Sequence, residues 1–237
     1  MESGKRRLLG RVARGFTKRI MQGYPPRRRT GMAFSLLSLN DSHIHCNILE
    51  LRSDAILNEG SPVLFFRKKI SLERFATIFV ADLPTRIVDR FSKQEQVWVV
   101  RASPNRVEKD LKREWIAFNM FMIHCSSVAA LETRENIEIF SKTVILRCGK
   151  QFVDISVFSD IEEFMRFLNS RFASYEQALQ NTGPLGVPVY VGMVYGESCG
   201  RGQNPADIYV WAACFTTMTK IYRDIIAEML KQYRFAK

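Results

Sequence analysis

At 237 residues, with 46% hydrophobic and 25% charged residues, the chain can build one sizeable core, and its composition excludes a wholly disordered or membrane-embedded protein. Its net charge of +11 sits at one end: residues 1–29 hold ten cations against Glu2, a local +9, while the remaining 208 carry +2. Such a block speaks of an anionic partner rather than of a fold. The odd set Cys46, Cys125, Cys148, Cys199 and Cys214, without CxxC spacing, excludes a disulfide-framed domain and predicts free thiols.

From Lys5 to Gln22, Leu8, Val12, Phe16 and Ile20 recur every fourth residue. They form one face of a helix whose other faces carry Lys5, Arg6, Arg7, Arg11, Arg14, Lys18 and Arg19. Gly4, Gly10, Gly15 and Gly23 weaken that helix, so it is expected to order on a surface. Tyr24-Pro25-Pro26, with Arg27, Arg28 and Arg29, forms a linker, since two prolines end the helix and favour extended geometry. Residues 1–31 thus read as a flexible basic arm without a secretory apolar core, and residues 32–237 as the folded body.

In the body, Phe34–Leu39 and Ile44–Leu51 read as strands, and Val63–Ile70 as an edge strand guarded by Arg67, Lys68 and Lys69. Ser71 caps a predicted helix reaching Val80, and Pro84 starts another to Lys93. Gln96–Arg101 follows as a short strand. Ser103-Pro104 then opens a long helix through Val107, Leu111, Trp115, Phe118 and Met122. Its uncharged stretch Trp115–Leu131, 17 residues with several polar side chains, suits a buried core helix better than a membrane span. Asn136–Arg147 and Phe152–Phe158 read as a hairpin about Cys148-Gly149-Lys150. Asp160 and Glu163 mark a capped helix ending before Gly183-Pro184. Val187–Tyr195 and Ile208–Phe215 read as a second strand pair around a glycine-rich loop, Gly196–Asp207, before a final helix from Met218 to Tyr233. The expected fold is α+β: one domain with a mainly antiparallel sheet and packed helices.

Few residues invite chemistry. His43 and His45 share a strand face but Cys46 points away, and no third ligand accompanies them, so no metal is expected. Cys125 beside His124 lies about 100° round a helix from it, which suits a core residue better than a nucleophile. Gly196, Ser198 and Gly200 match a nucleophile elbow literally, but Gln203-Asn204-Pro205 follows and every histidine precedes the serine. The chain is therefore expected to be non-enzymatic and without cofactors. The arm's cations suit either anionic lipid or RNA, and its apolar stripe favours lipid. An Arg-rich amphipathic start also fits an organellar presequence, against which Glu2 and Arg27–Arg29 stand.

Taken in chain order, these pieces resemble the matrix proteins of rhabdoviruses. The likeness lies in the basic arm, the proline motif, and residues 138–215: Glu138–Phe158, the helix with Phe167-Leu168-Asn169-Ser170-Arg171-Phe172-Ala173-Ser174-Tyr175, Ala178-Leu179, then Val189–Val194 and Tyr209–Phe215. The resemblance implies a structural virion protein on the cytoplasmic face of host membranes, binding anionic lipids, the viral nucleoprotein–RNA complex and itself, and driving budding. It leaves room for direct RNA contact, and for passage into the nucleus through the arm. Tyr24-Pro25-Pro26-Arg27 reverses the family's Pro-Pro-x-Tyr budding motif, which puts recruitment of host budding machinery in doubt. A viral RNA-binding or movement-type protein using the same arm is the rival expectation.

Overall fold

The computed structural model describes residues 68–91, 106–180, 183–200 and 204–235. The arm, the body's 31/32 boundary and the strands expected at Phe34–Leu39, Ile44–Leu51 and Gln96–Arg101 lie outside these residues. Of the described residues 81% are helical. The helices are α1 (Leu72–Phe79), α2 (Leu83–Arg90), α3 (Glu108–Ala130), α4 (Arg134–Asp154), α5 (Ile161–Leu179), α6 (Val187–Ser198) and α7 (Pro205–Gln232). Two short strands, β1 (Lys68–Ile70) and β2 (Tyr233–Phe235), pair in parallel with Lys68 opposite Tyr233 and Ile70 opposite Phe235. The expected mainly antiparallel sheet is therefore corrected to a helical unit, whose sheet joins the start of the described chain to its end.

Several local signals act as expected. The Ser71 side chain accepts a hydrogen bond from the Arg74 N–H, and Pro84 lies in the first turn of α2. Asp160 accepts from the Glu163 N–H at 2.8 Å, and Glu163 reaches back to the Ser159 N–H at 2.7 Å, a capping box displaced by one residue. Those backbone donors hold both carboxyls below their usual range, the Glu163 N–H acting on Asp160 and the Ser159 N–H on Glu163. The cap expected at Ser103 is displaced: α3 starts at Glu108 behind Val107.

Each predicted hairpin is largely helical where described, residues 155–158 forming a turn. In α4 the buried residues are Ile137, Phe140, Ser141, Val144, Ile145, Cys148, Gly149 and Phe152, a three-to-four spacing that only a helix presents to one side. Gly149 is no turn: a Cβ there would lie 2.6 Å from Ile161 and from Phe164, so the missing side chain lets α4 close on α5. Val187–Tyr195 is most of α6, whose buried set is Val191, Gly192, Tyr195 and Gly196. Ile208–Phe215 lies within α7, which Asn204 caps and Pro205 opens. The helix expected from Met218 is the second half of this single 28-residue helix.

The centre is α3. Trp115–Met122 is buried without interruption, as a helix apolar on every side requires. Phe118 stacks on Tyr195 of α6 with centroids 4.3 Å apart, Phe121 stacks on Tyr175 of α5 at 4.9 Å, and Tyr195 meets Trp211 of α7 edge-on at 4.8 Å. Each ring of this kind contributes about 1.5–3 kcal/mol through burial, and well-oriented pairs about 1 kcal/mol more.

Helix α6 comes backbone-close to α7, where a Cβ on Gly192 would stand 2.8 Å from the Ile208 carbonyl oxygen and 3.0 Å from the Ala212 nitrogen. Backbone cannot retreat as a side-chain tip can. Gly192→Ala should lower stability by about 1–2 kcal/mol in urea unfolding, overpacking outweighing the roughly 1 kcal/mol gain in helix propensity.

Candidate functional site

Every arm residue predicted to meet an anionic surface, from Lys5 to Arg29, lies outside the described residues. So do the inserting residues Leu8, Val12, Phe16 and Ile20, the Tyr24-Pro25-Pro26 segment, and His43, His45 and Cys46. Among the described residues no group of three or more His, Cys, Asp or Glu side chains could hold a metal ion, and no helix is long and apolar enough to cross a membrane.

The candidate residues that are described are placed in quiet surroundings. His124 is buried on α3 with Nδ1 3.2 Å from Ser141 Oγ of α4, and burial lowers its pKa to about 4. Ser127 Oγ lies 3.3 Å from the same hydroxyl and donates to the His124 carbonyl at 2.8 Å. This His–Ser pair is shut inside the core. Burial lifts the neighbouring Cys125 thiol to about 12. Gly196 and Ser198 lie in the last turn of α6 and Gly200 just past it, whereas an elbow follows a strand.

The strongest assembly of polar groups lies where α3, α5 and α6 meet. Arg171 of α5 makes a two-pronged ion pair with Glu114 of α3, donating from Nε at 2.7 Å and from Nη2. Burial pushes the Glu114 carboxyl up, and the Arg171 guanidinium pulls it down. Behind the pair stand Tyr175 and Tyr195, both fully buried. The Tyr175 hydroxyl has no hydrogen-bond partner among the described residues. That of Tyr195 faces the Cys199 thiol and has no oxygen or nitrogen hydrogen-bond partner among the described residues. Burial raises both phenols well above their usual range and lifts Cys199 to about 12.

Above this cluster an open cleft of about 530 Å³ runs between α5 and α6. Arg171, Ser174, Gln177 and Ala178 form one wall, spaced to share a face of α5. Tyr190, Met193, Val194, Glu197 and Ser198 form the other, from α6. Arg106 joins them from just ahead of α3 and lies over Gly200. Gly200 has φ 76°, a left-handed backbone that favours glycine, and the Arg106 side chain lies 3.0 Å from where a Cβ would stand. The cleft thus has a polar wall with an anchored guanidinium and a largely apolar wall.

The arm's charge was visible in the sequence, but the cleft was missed. One available signal was the run Gln177–Gly196, 20 residues without a charge, which brackets the apolar wall. Comparison with protein-family models, curated proteins and solved structures finds no match to this chain. The hairpins quoted for the rhabdovirus resemblance are helical in most of their described residues, so that likeness lends the body no fold.

Removing one partner of the Glu114–Arg171 pair should strand the other. Arg171→Ala should cost about 2–3 kcal/mol in urea unfolding, less than a fully sealed pair because the guanidinium is partly exposed. Adding Glu114→Gln should recover part of that loss. The buried His124 makes a second prediction. Its folded pKa lies below the unfolded value, so the unfolded chain binds the extra proton between about pH 6.5 and 4, and stability falls on acidification through that window. The full effect is about 3 kcal/mol at 1.36 kcal/mol per pKa unit. Glu114 and Glu176, whose carboxyls burial raises, act in the opposite sense, so the test is the difference between parent and variant. In His124→Asn the difference in acid sensitivity should disappear from paired denaturation curves at pH 7 and pH 4.5.

Proposed function

We propose that this chain is a non-enzymatic, peripheral membrane protein of the viral matrix type, joining the inner face of an envelope to a nucleoprotein–RNA core. The observation that carries the reading is the charge split: +9 in the first 29 residues against +2 in the other 208. Each cation near an anionic leaflet is worth about 1 kcal/mol, and burial of Leu8, Val12, Phe16 and Ile20 would add the hydrophobic part that charge lacks. The helical body then serves protein contacts and self-association, where many weak arms act together on one surface. The thiols and phenols buried near the cleft are held protonated, which suits a structural body better than a nucleophilic one. The setting that follows is the virion and the cytoplasmic face of host membranes.

Vesicle flotation tests this reading. The full chain should float with phosphatidylserine-containing vesicles and not with neutral ones. Changing the ten arm cations to Gln should weaken flotation at least about 100-fold. Single-stranded RNA added in excess should leave the parent chain on the vesicles. Stripping by RNA, or no flotation on anionic vesicles, would instead establish the arm as a nucleic-acid contact, with the salt dependence that counterion release imposes.

A further inference from the structure

The two faces of the β1–β2 sheet carry opposite chemistry. On the inward face, Tyr233 and Phe235 meet Phe75 of α1 edge-on, with centroids 6.2 and 5.3 Å apart. On the outward face the register sets Lys69 directly opposite Arg234, and both are exposed. Neither has an ion-pair partner among the described residues. Like charges facing each other across strands oppose pairing, and this sheet has only three residue pairs to offset them. The outward face therefore holds two cations that no anion neutralises.

Ser71 shares that face. It follows Lys69 by two residues, and with φ −73° and ψ 156° it continues the extended backbone of β1. Its exposed hydroxyl accepts from the Arg74 N–H at 3.2 Å, at the junction of β1 and α1, and Arg74 is itself exposed. The sequence leading to it is Arg67-Lys68-Lys69-Ile70-Ser71, with cations two, three and four residues before the hydroxyl. A protein kinase with an acidic substrate groove selects an extended basic approach of this kind by charge complementarity. Among the described residues β1 has a strand on one side only, so its other edge is open to such a groove.

We propose that Ser71 is a phosphorylation site for a serine kinase that reads basic residues, and that its phosphate latches β2 onto β1 through Lys69 and Arg234. In the transfer, Ser71 Oγ bonds to the γ-phosphorus of ATP and the bond from that phosphorus to the β–γ bridging oxygen breaks. ADP leaves, and the hydroxyl proton passes to the base of the kinase. The product carries nearly two negative charges at neutral pH and three strong acceptor oxygens. Repulsion between Lys69 and Arg234 is then replaced by attraction of both to one group, with Glu73 of α1 opposing part of that field. The pairing tied in this way joins the start of the described chain to its end, so a modification on β1 holds the C-terminal strand.

The test treats the full folded chain with magnesium ATP and the catalytic subunit of cyclic-AMP-dependent protein kinase. Fragment mass spectrometry maps the phosphate and separates Ser71 from Thr17 and Thr30 of the arm, which also follow arginines. Ser71 should be modified, and Lys68→Ala combined with Lys69→Ala should slow its modification at least about tenfold. Ser71→Asn, which keeps a capping side chain, should fold and carry no phosphate in this segment. Backbone hydrogen exchange in β1 and β2 should slow about threefold in the phosphorylated chain. Arg234→Gln should still be phosphorylated but lose most of that slowing. Phosphate confined to other residues, or reaching Ser71 only in urea-unfolded chain, would overturn the site. Equal exchange before and after modification, or slowing that survives Arg234→Gln in full, would overturn the latch.

Discussion

Burying α3 on all sides is the constraint from which the rest of this helical unit follows. A helix with solvent on one side can leave its polar groups to water, but α3 must find partners for them in neighbouring helices. Four of its neighbours supply them. The Trp115 indole donates to the Ile87 carbonyl of α2 at 3.0 Å, His124 meets Ser141 of α4, and Glu114 holds Arg171 of α5. On α7, Tyr222 donates to Asn119 at 2.9 Å, and the Thr219 carbonyl accepts from Ser126 at 2.9 Å. Aromatic packing supplies most of the stabilisation but tolerates sliding, whereas these directional ties fix how far along α3 each neighbour sits. Arg113 adds the turn between α4 and α5, donating to the Val157 carbonyl at 3.0 Å and pairing with Glu163 at 2.7 Å.

What could be read from the sequence divides along the range of the interaction. Ser71, Pro84 and the Asp160–Glu163 box act within one helical turn, and each marks its helix correctly. The uncharged Trp115–Leu131 stretch identified the core helix by length as well as composition. The misreadings share another cause. Val187–Tyr195 and Ile208–Phe215 are short apolar runs rich in β-branched and aromatic residues, for which strand and buried helix look alike until a partner surface is known. Helical spacing was nevertheless present in Ile208, Trp211, Phe215, Met218 and Tyr222, the buried line of α7. Gly149 misled for a related reason. Glycine punctuates turns, but here it removes a side chain where two helices cross, a role visible only with the second helix in place.

The candidate sites differ in the same way. A block of ten cations is a local property and needs no fold to be recognised. The cleft depends on Glu114 meeting Arg171 across 57 residues, and on α6 approaching α7 closely at Gly192. Neither distance is encoded near the residues that form the walls. What was local, and overlooked, is the absence of charge through α6 and the turn before it. A surface helix lacking Lys, Arg, Asp and Glu along its length, apart from Glu197, departs from the usual pattern, and such a departure points to function more than to fold.

Arm and body also differ in the physics each can use on a membrane. Charge attraction acts over about a Debye length and weakens as salt rises, so it gathers the chain near the surface without fixing its orientation. Apolar contact acts only on touching, and it is directional when its residues sit on a helix held by the packing of α5 and α7. An arm alone would hold the body at any angle, whereas a second contact on the rigid helical body would present the same face to the lipid each time. A two-dimensional assembly needs that shared orientation before lateral contacts between copies can repeat. Once bound at high surface concentration, even weak lateral contacts become sufficient. On this reading a contact on the helical body, added to the arm, would turn electrostatic attraction into an ordered layer.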